Sequence, residues 1–464
     1  MDRTTARLVE YTSSFTASWL PRAVLDAAVD HLVDSVACAI AGSDSEPARI
    51  AVTVARSVHD DCPATVFGEG LSTTAELAAF ANACMVRTYD WNDGMLARGG
   101  GHPSDMVAGL LAAGEATHAS GLDVLTAMVL AYELLGALGN AAAIRDRGWD
   151  QGTFLGVAAA LGVGKLFRLN PEQLANAVSL ALVPCVPLRV TRAGALSMWK
   201  GCATAATVRN AVFAATLARH GMTGPAEPFE GATGLWDQVT GPFELSLPAN
   251  PDGPMVVQMS HFKAFPAEAH AQPFLDVVPR IRAWTPASDI ESIEIDTYSQ
   301  AYHEIGSHPA KWDPQTRETA DHSLPYLIAA ALADGQISLA SYRPERIADP
   351  ELRPLMRKIA VREEPSFTAA FRPPDMSIAG VPRGRITVRT RSGGQLVEEV
   401  GFPRGHSKNP MARADIDAKL SGICASVLSA EQTARLRDAW WNVEGATDIG
   451  GVIQSLVWRS RPEP

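Results

Sequence analysis

Residues 290–297 read IESIEIDT, apolar and polar side chains in strict alternation. A period of two belongs to a half-buried strand, not to a helix. Such alternation is almost absent through residue 245, where the chain reads as helix after helix. Pro21 to Ala41 sets Leu25, Val29, Leu32, Val36 and Ile40 on one face and Asp26, Asp30 and Asp34 on another, with Gly42 as a stop. Thr73 followed by Glu76 has the capping-box spacing and opens an Ala-rich helix reaching to Tyr89. Ser104 is placed to cap a helix to Thr117, and Leu122 to Leu138 is another. Asn170-Pro171-Glu172-Gln173 carries a cap, a first-turn proline and a reciprocal Gln, and an Ala-rich helix runs from Leu196 to His220 before Gly221.

Beyond Pro254 the character changes. Besides 290–297, strands are predicted at 359–361, 385–390 and 395–400, the last two joined at Gly393-Gly394, with a helix over 323–333. Helical patterning returns over 414–457. The chain is too long, at 464 residues, for one ordinary core. The expected fold is mainly α: an all-helical domain from residues 1–254 plus 406–464, into which a smaller α+β domain of residues 255–405 is inserted.

Hydrophobic residues make up 47% and charged residues 20%, values of a globular chain. The net charge of -11 leaves no electrostatic footprint for nucleic acid or an anionic membrane. An anionic ligand would need a local cluster of positive groups working against that field. The apolar stretch Val178 to Leu188 is short and holds two prolines, and no signal-peptide core is read near Met1. A cytoplasmic location is the resulting expectation. The six cysteines (Cys38, Cys62, Cys84, Cys185, Cys202, Cys424) form no C-x-x-C pair, which disfavours a disulfide framework, a zinc ribbon or an iron–sulfur cluster.

Four clusters carry possible chemistry. Tyr89-Asp90-Trp91-Asn92-Asp93 precedes a Gly99-Gly100-Gly101 loop and His102-Pro103-Ser104-Asp105. A helix start near Ser104 would favour a carboxylate ligand, although these residue types also serve merely as caps and turn formers. Arg189, Arg192 and Lys200 form the second cluster. Lys200 lies in a small-residue helix, where it is costly to bury without a partner, or else reaches out to solvent along the surface. The third holds His261, Lys263, Glu268, His270 and Gln272, the last three sharing a face if the segment is extended. In the fourth, Arg317 to Ser323, Asp321 is placed as a helix cap and Tyr326 about one turn in. Ligand spacings suited to a catalytic metal are missing, as are nucleotide-binding and G-x-S-x-G fingerprints.

Together these stretches resemble the MmgE/PrpD family over nearly the whole chain: DSVACAIAG (34–42), YDWNDG with GGHPSD (89–105), TRAGALSMWKGCATA (191–205), FEGATGLW (229–236), FKAFPAEAHAQ (262–272), RETADHSLPYLIAAALADG (317–335) and GHSKNPM (405–411). The resemblance implies that the inserted domain is a lid on the helical one, that the protein is a homodimer, and that it needs no cofactor and no metal. It implies a lyase acting on a small di- or tricarboxylate: a 2-methylcitrate-type dehydratase, with a cis-aconitate-type decarboxylase, an iminodisuccinate-type epimerase or a non-catalytic carboxylate binder as alternatives. Its catalytic positions fall on Asp90, His102, Lys200, Lys263 and Tyr326, with Arg192, His322, Asp93 and Ser104 as substrate-binding neighbours. His102 and Tyr326 are the expected acid–base pair; Lys200, Lys263 and Arg192 are expected to hold carboxylates and the developing enediolate. Two positions depart from the pattern: Gly94 where the family often has Thr, and Gln151 where dehydratase-like members often have His. Decarboxylase-like members instead carry His where Asp150 stands and Gly where Asp105 stands.

Overall fold

The computed structural model describes residues 1–59, 63–95, 100–247, 253–371 and 380–458; Cys62 and Gly99 lie outside them. The protein is mainly α with some β. The helices Arg22–Gly42, Ala75–Arg87, Gly121–Ala141, Gly152–Leu166, Pro171–Leu182 and Trp199–Arg219 enclose one apolar core. Alanine and glycine at the crossings let backbones approach closely. A Cβ on Gly42 would lie 2.0 Å from the Met85 carbonyl oxygen, so only glycine permits this crossing. That contact fixes the C-terminal end of Ala75–Arg87, from which the chain leads directly to Asp90.

The C-terminal helices Arg413–Cys424 and Ala430–Trp441 bury Ile416, Leu420, Leu436 and Trp440 in this same core. Lys419 reaches Asp34 at 2.7 Å, and Arg413 reaches Asp30 at 2.8 Å. The acidic stripe of Arg22–Gly42 thus docks the tail.

A second core lies under a four-stranded sheet in the order Ile359–Glu363, Ile290–Thr297, Gly384–Thr390, Gln395–Val400. The first pair is parallel and the others antiparallel, with Ile293 flanked by Ile359 and Val388. Alternation works as read: Ile293 and Ile295 are buried in the same core as Leu327 and Ile328 of the helix Leu324–Asp334.

Several local expectations are corrected. The helical region contains a small antiparallel pair, Ala64–Val66 with Leu71–Thr73. Strands of three residues are too short to show an alternation. Thr73 caps no helix; its hydroxyl donates to the Ala55 and Val58 carbonyls, and Thr74 occupies the cap position. Ser104 sits in a tight turn, Pro103–Met106, before the helix Val107–Glu115 begins. Ser323, not Asp321, caps Leu324–Asp334. Glu268 to Gln272 is coiled into a short turn and helix, so those side chains do not share an extended face. Among the described residues the long apolar helix is Gly121–Ala141, not the 178–188 stretch. It is long and apolar enough to cross a membrane, yet it is largely buried within the first core.

Candidate active site

Asp90 follows the helix Ala75–Arg87 and adopts a φ of 51°, the left-handed region uncommon outside glycine. That turn drives its carboxylate inward, where it is 2% exposed. Three buried cations converge on it. Arg87 Nη1 lies at 2.5 Å and Lys200 Nζ at 2.8 Å, and Lys263 Nζ donates both to the carboxylate and, at 2.7 Å, to the Asp90 carbonyl. Burial alone would raise the Asp90 carboxyl, but Arg87, Lys200 and Lys263 outweigh it and hold the group well below the usual carboxylate range. Lys200, in the first turn of Trp199–Arg219, is fully buried, so it does not reach out to solvent. Its ammonium also lies 3.5 Å from Asp321 Oδ2. Burial lowers its pKa, against the pull of Asp321 and Asp90.

Two histidines edge this centre. His102 Nδ1 lies 2.6 Å from the Asp93 carbonyl oxygen, which can only accept; the proton is therefore on Nδ1 and Nε2 carries a lone pair. Burial, then Arg87 and Lys263, hold His102 well below the ordinary histidine range, so the ring is neutral. His322 is oriented in the same way by a carboxylate. Its Nδ1 is 2.6 Å from Asp321 Oδ1, and its Nε2 is 3.5 Å from Asp90 Oδ2. Burial, then Lys200, press His322 down to about 4.

Asp93 and Ser104 support this arrangement. Asp93 Oδ1 accepts from the Ser104 backbone N–H at 3.0 Å and hydroxyl at 2.5 Å; Oδ2 accepts from Tyr132 at 2.7 Å and lies 2.9 Å from His31 Nδ1. Asn92 donates to Ser104 and to Asp105, each at 2.8 Å. Three hydrogen bonds and the nearby His31 ring hold the Asp93 carboxylate, and through Ser104 it fixes the loop carrying His102.

A second set of charges lies beside the first. Arg192 forms a two-pronged pair with Asp150, at 2.6 and 3.3 Å, rather than joining Asp90. Arg189 pairs with Glu304 at 2.6 Å. Burial would raise Glu304, but His270, Arg189 and Arg145 hold it at about 2. Sequence reasoning missed Arg145. Its Nη2 donates to the neutral Gln151 amide at 2.9 Å, and its buried Nε has no partner among the described residues. Burial lowers it to about 10. Gly100, at a φ of 54°, packs so closely that an added Cβ would lie 2.8 Å from the guanidinium carbon. Only glycine lets the backbone pass this close to the guanidinium, two residues from His102. Asp321 and Lys311 were likewise not singled out as ligand contacts.

Among the described residues, Glu268, His270 and Glu304 have ligand atoms within 4.8 Å of one another, a spacing that suits a metal. These side chains also serve the protein: His270 Nδ1 meets the Tyr298 hydroxyl at 2.5 Å, Glu268 accepts from the His270 N–H at 2.6 Å, and Glu304 binds Arg189.

The structure does not bring Tyr326 to this centre. Its hydroxyl donates to the Ser341 carbonyl, and the charges acting on it, after burial, are Arg346, Asp334, Arg353 and Asp349. A position one turn into a helix fixes the residue's height, not the face it presents.

The MmgE/PrpD N-terminal domain family model matches residues 6–248, and the MmgE/PrpD C-terminal domain model matches residues 265–444. The chain is 30% identical over 365 residues to the 2-methylcitrate dehydratase of Salmonella typhi, covering 74% of this chain and 73% of that one. It is 29% identical over 437 residues to the 2-methylcitrate dehydratase of Escherichia coli K12, covering 88% and 86%. A third relative, the 2-methylcitrate dehydratase of Cupriavidus necator, is 31% identical over 358 residues, 71% of each chain.

Proposed function

The chain belongs to the MmgE/PrpD family, and from that premise we propose that it is a hydro-lyase acting on a citrate-like hydroxy di- or tricarboxylate such as 2-methylcitrate, without a metal cluster. The observation that carries this reading is the neutral His102, its Nε2 lone pair free and its ring bordered by Arg87 and Lys263. A base that must take a proton α to a carboxylate has to be unprotonated and must act beside positive charge, because the doubly negative enediolate is the costly species.

In this reading His102 Nε2 takes the α proton, and the C–H electron pair becomes the enediolate. Lys200 and Lys263 stabilise it, with Arg145 holding a carboxylate away from the reacting carbon. The pair then forms the carbon–carbon double bond as the adjacent C–O bond breaks. The leaving hydroxide takes a proton from Lys200, whose ammonium burial has made a better donor than an exposed lysine. Asp90 keeps both lysines in place between turnovers, and Asp321 fixes His322 beside them. With Tyr326 turned away, its place in the acid–base pair passes to Lys200.

Product analysis tests the assignment. The purified protein is incubated with 2-methylcitrate and citrate and followed by proton NMR. An unsaturated acid formed with release of water supports the reading. Carbon dioxide release, or an inverted centre at unchanged mass, moves the protein to a decarboxylase or an epimerase. Binding without turnover makes it a carboxylate-binding homologue.

A further inference from the structure

Lys311 lies in the turn Pro309–Lys311 and is 3% exposed. Among the described residues, no carboxylate lies within ion-pair reach of its ammonium and no acceptor takes a hydrogen bond from it. Every other buried lysine of the centre is paired: Lys200 and Lys263 with Asp90, and Lys419 with Asp34. The residue is buried while the ammonium keeps a contact with solvent, and a largely buried charge without a partner is costly to keep.

The position of Lys311 is nonetheless tightly set. Its carbonyl accepts from the hydroxyl of Ser323, the cap residue that directly follows His322. Lys311 is therefore tied to the segment that supplies Asp321 and His322. The charged groups that act on its ammonium are Asp321, Lys200, Glu268 and Glu304, all members of the candidate site. Burial, opposed by Asp321 and assisted by Lys200, brings it down to about 8.

We propose that Lys311 is a substrate-binding residue, whose ammonium is left unpaired in the free protein so that it can anchor a carboxylate of the substrate. The proposal rests on the reading of the site as a polycarboxylate site and adds to it the cation that the protein does not itself neutralise. A bound carboxylate replaces the missing counter-ion and makes the ammonium form the stable one. Binding at a pH near the lowered value then draws protons from solvent, because part of the Lys311 side chains are neutral beforehand.

The test is calorimetric titration with propane-1,2,3-tricarboxylate, which has no hydroxyl to lose, at pH 8 in two buffers of different ionisation enthalpy. The expected result for the wild type is saturable binding with net uptake of a fraction of a proton. Lys311→Met should bind about 10- to 100-fold more weakly, lose that uptake, and melt no lower than the wild type, since an apolar side chain of similar length replaces an unpaired charge. Lys311→Arg should keep most of the affinity and lose the uptake, because a guanidinium stays charged. A folded Lys311→Met with unchanged affinity and uptake overturns the role of Lys311 alone. Absence of proton uptake between about pH 7 and 9 in a wild type that binds does so too, even if Lys311→Met cannot be purified. A wild type that binds neither this acid nor citrate, and turns over none, overturns the polycarboxylate reading and the proposal with it.

Discussion

The carboxylate of Asp90 and the ammonium of Lys200, 110 positions apart in the chain, lie 2.8 Å apart with both side chains closed off from solvent. Among the described residues, Asp90 is the one carboxylate that Arg87, Lys200 and Lys263 all share. Asp90→Asn keeps the left-handed backbone that asparagine tolerates but leaves three buried cations short of a counter-charge. We expect a loss of about 3–5 kcal/mol in unfolding free energy from urea titration, together with loss of turnover. Asp90→Ala should be weaker still, because alanine adds backbone strain. Wild-type stability in Asp90→Asn would mean that the cations find other partners.

Stability should depend on pH in a definite direction. The folded protein holds His322 at about 4, His261 at about 3 and His406 at about 4, whereas an unfolded histidine titrates near 6.5. Burial is the leading cause for each. Below pH 6.5 the unfolded chain binds protons that the folded chain refuses, so the stability present above about 6.5 is lost progressively as pH falls toward 4. Scanning calorimetry should show a melting temperature level near pH 7 and falling steadily between about 6.5 and 4. A flat profile over that window would show that these rings are charged in the folded state.

Gly94 exchanges two backbone hydrogen bonds with His261, at 2.9 and 2.8 Å, and a Cβ there would lie 2.6 Å from His261 Nε2. The His261 ring thus fills the space that a side chain at position 94 would need. Gly94→Thr should cost about 1–3 kcal/mol by urea titration, and the added change His261→Ala should recover most of it. Equal stability of Gly94→Thr and the wild type would show that the ring is free to swing aside.

Much of this centre was legible in the sequence because its residues contradict their surroundings. Lys200 stands among alanines and glycines, and Asp90 and Asp93 crowd a helix end before a histidine; burying such groups demands partners, so the residues announce themselves. The strand 290–297 was legible from its period alone. Arg145 and Lys311 were not, since nothing local marks an arginine in a polar loop or a lysine between Ala310 and Trp312 as buried. Their isolation comes from which distant groups fail to reach them. Tyr326 was misplaced for the converse reason: a tyrosine in an apolar helix is equally suited to a core, and its hydroxyl found a backbone carbonyl on the far side. The pairing of Arg192 with Asp150 likewise depends on a loop contact across 42 positions that no local pattern announces.

The most direct test of the central claim is turnover of 2-methylcitrate followed by proton NMR for the wild type, His102→Gln and Lys200→Met side by side, each first shown to be folded by its thermal transition. We expect water loss by the wild type and a fall of about 10²- to 10⁴-fold in kcat for His102→Gln, with binding of propane-1,2,3-tricarboxylate retained. Lys200→Met should lose turnover at least as severely. Folded variants that form the unsaturated acid at the wild-type rate would contradict that claim, and the proton would then have to leave to a base outside this centre.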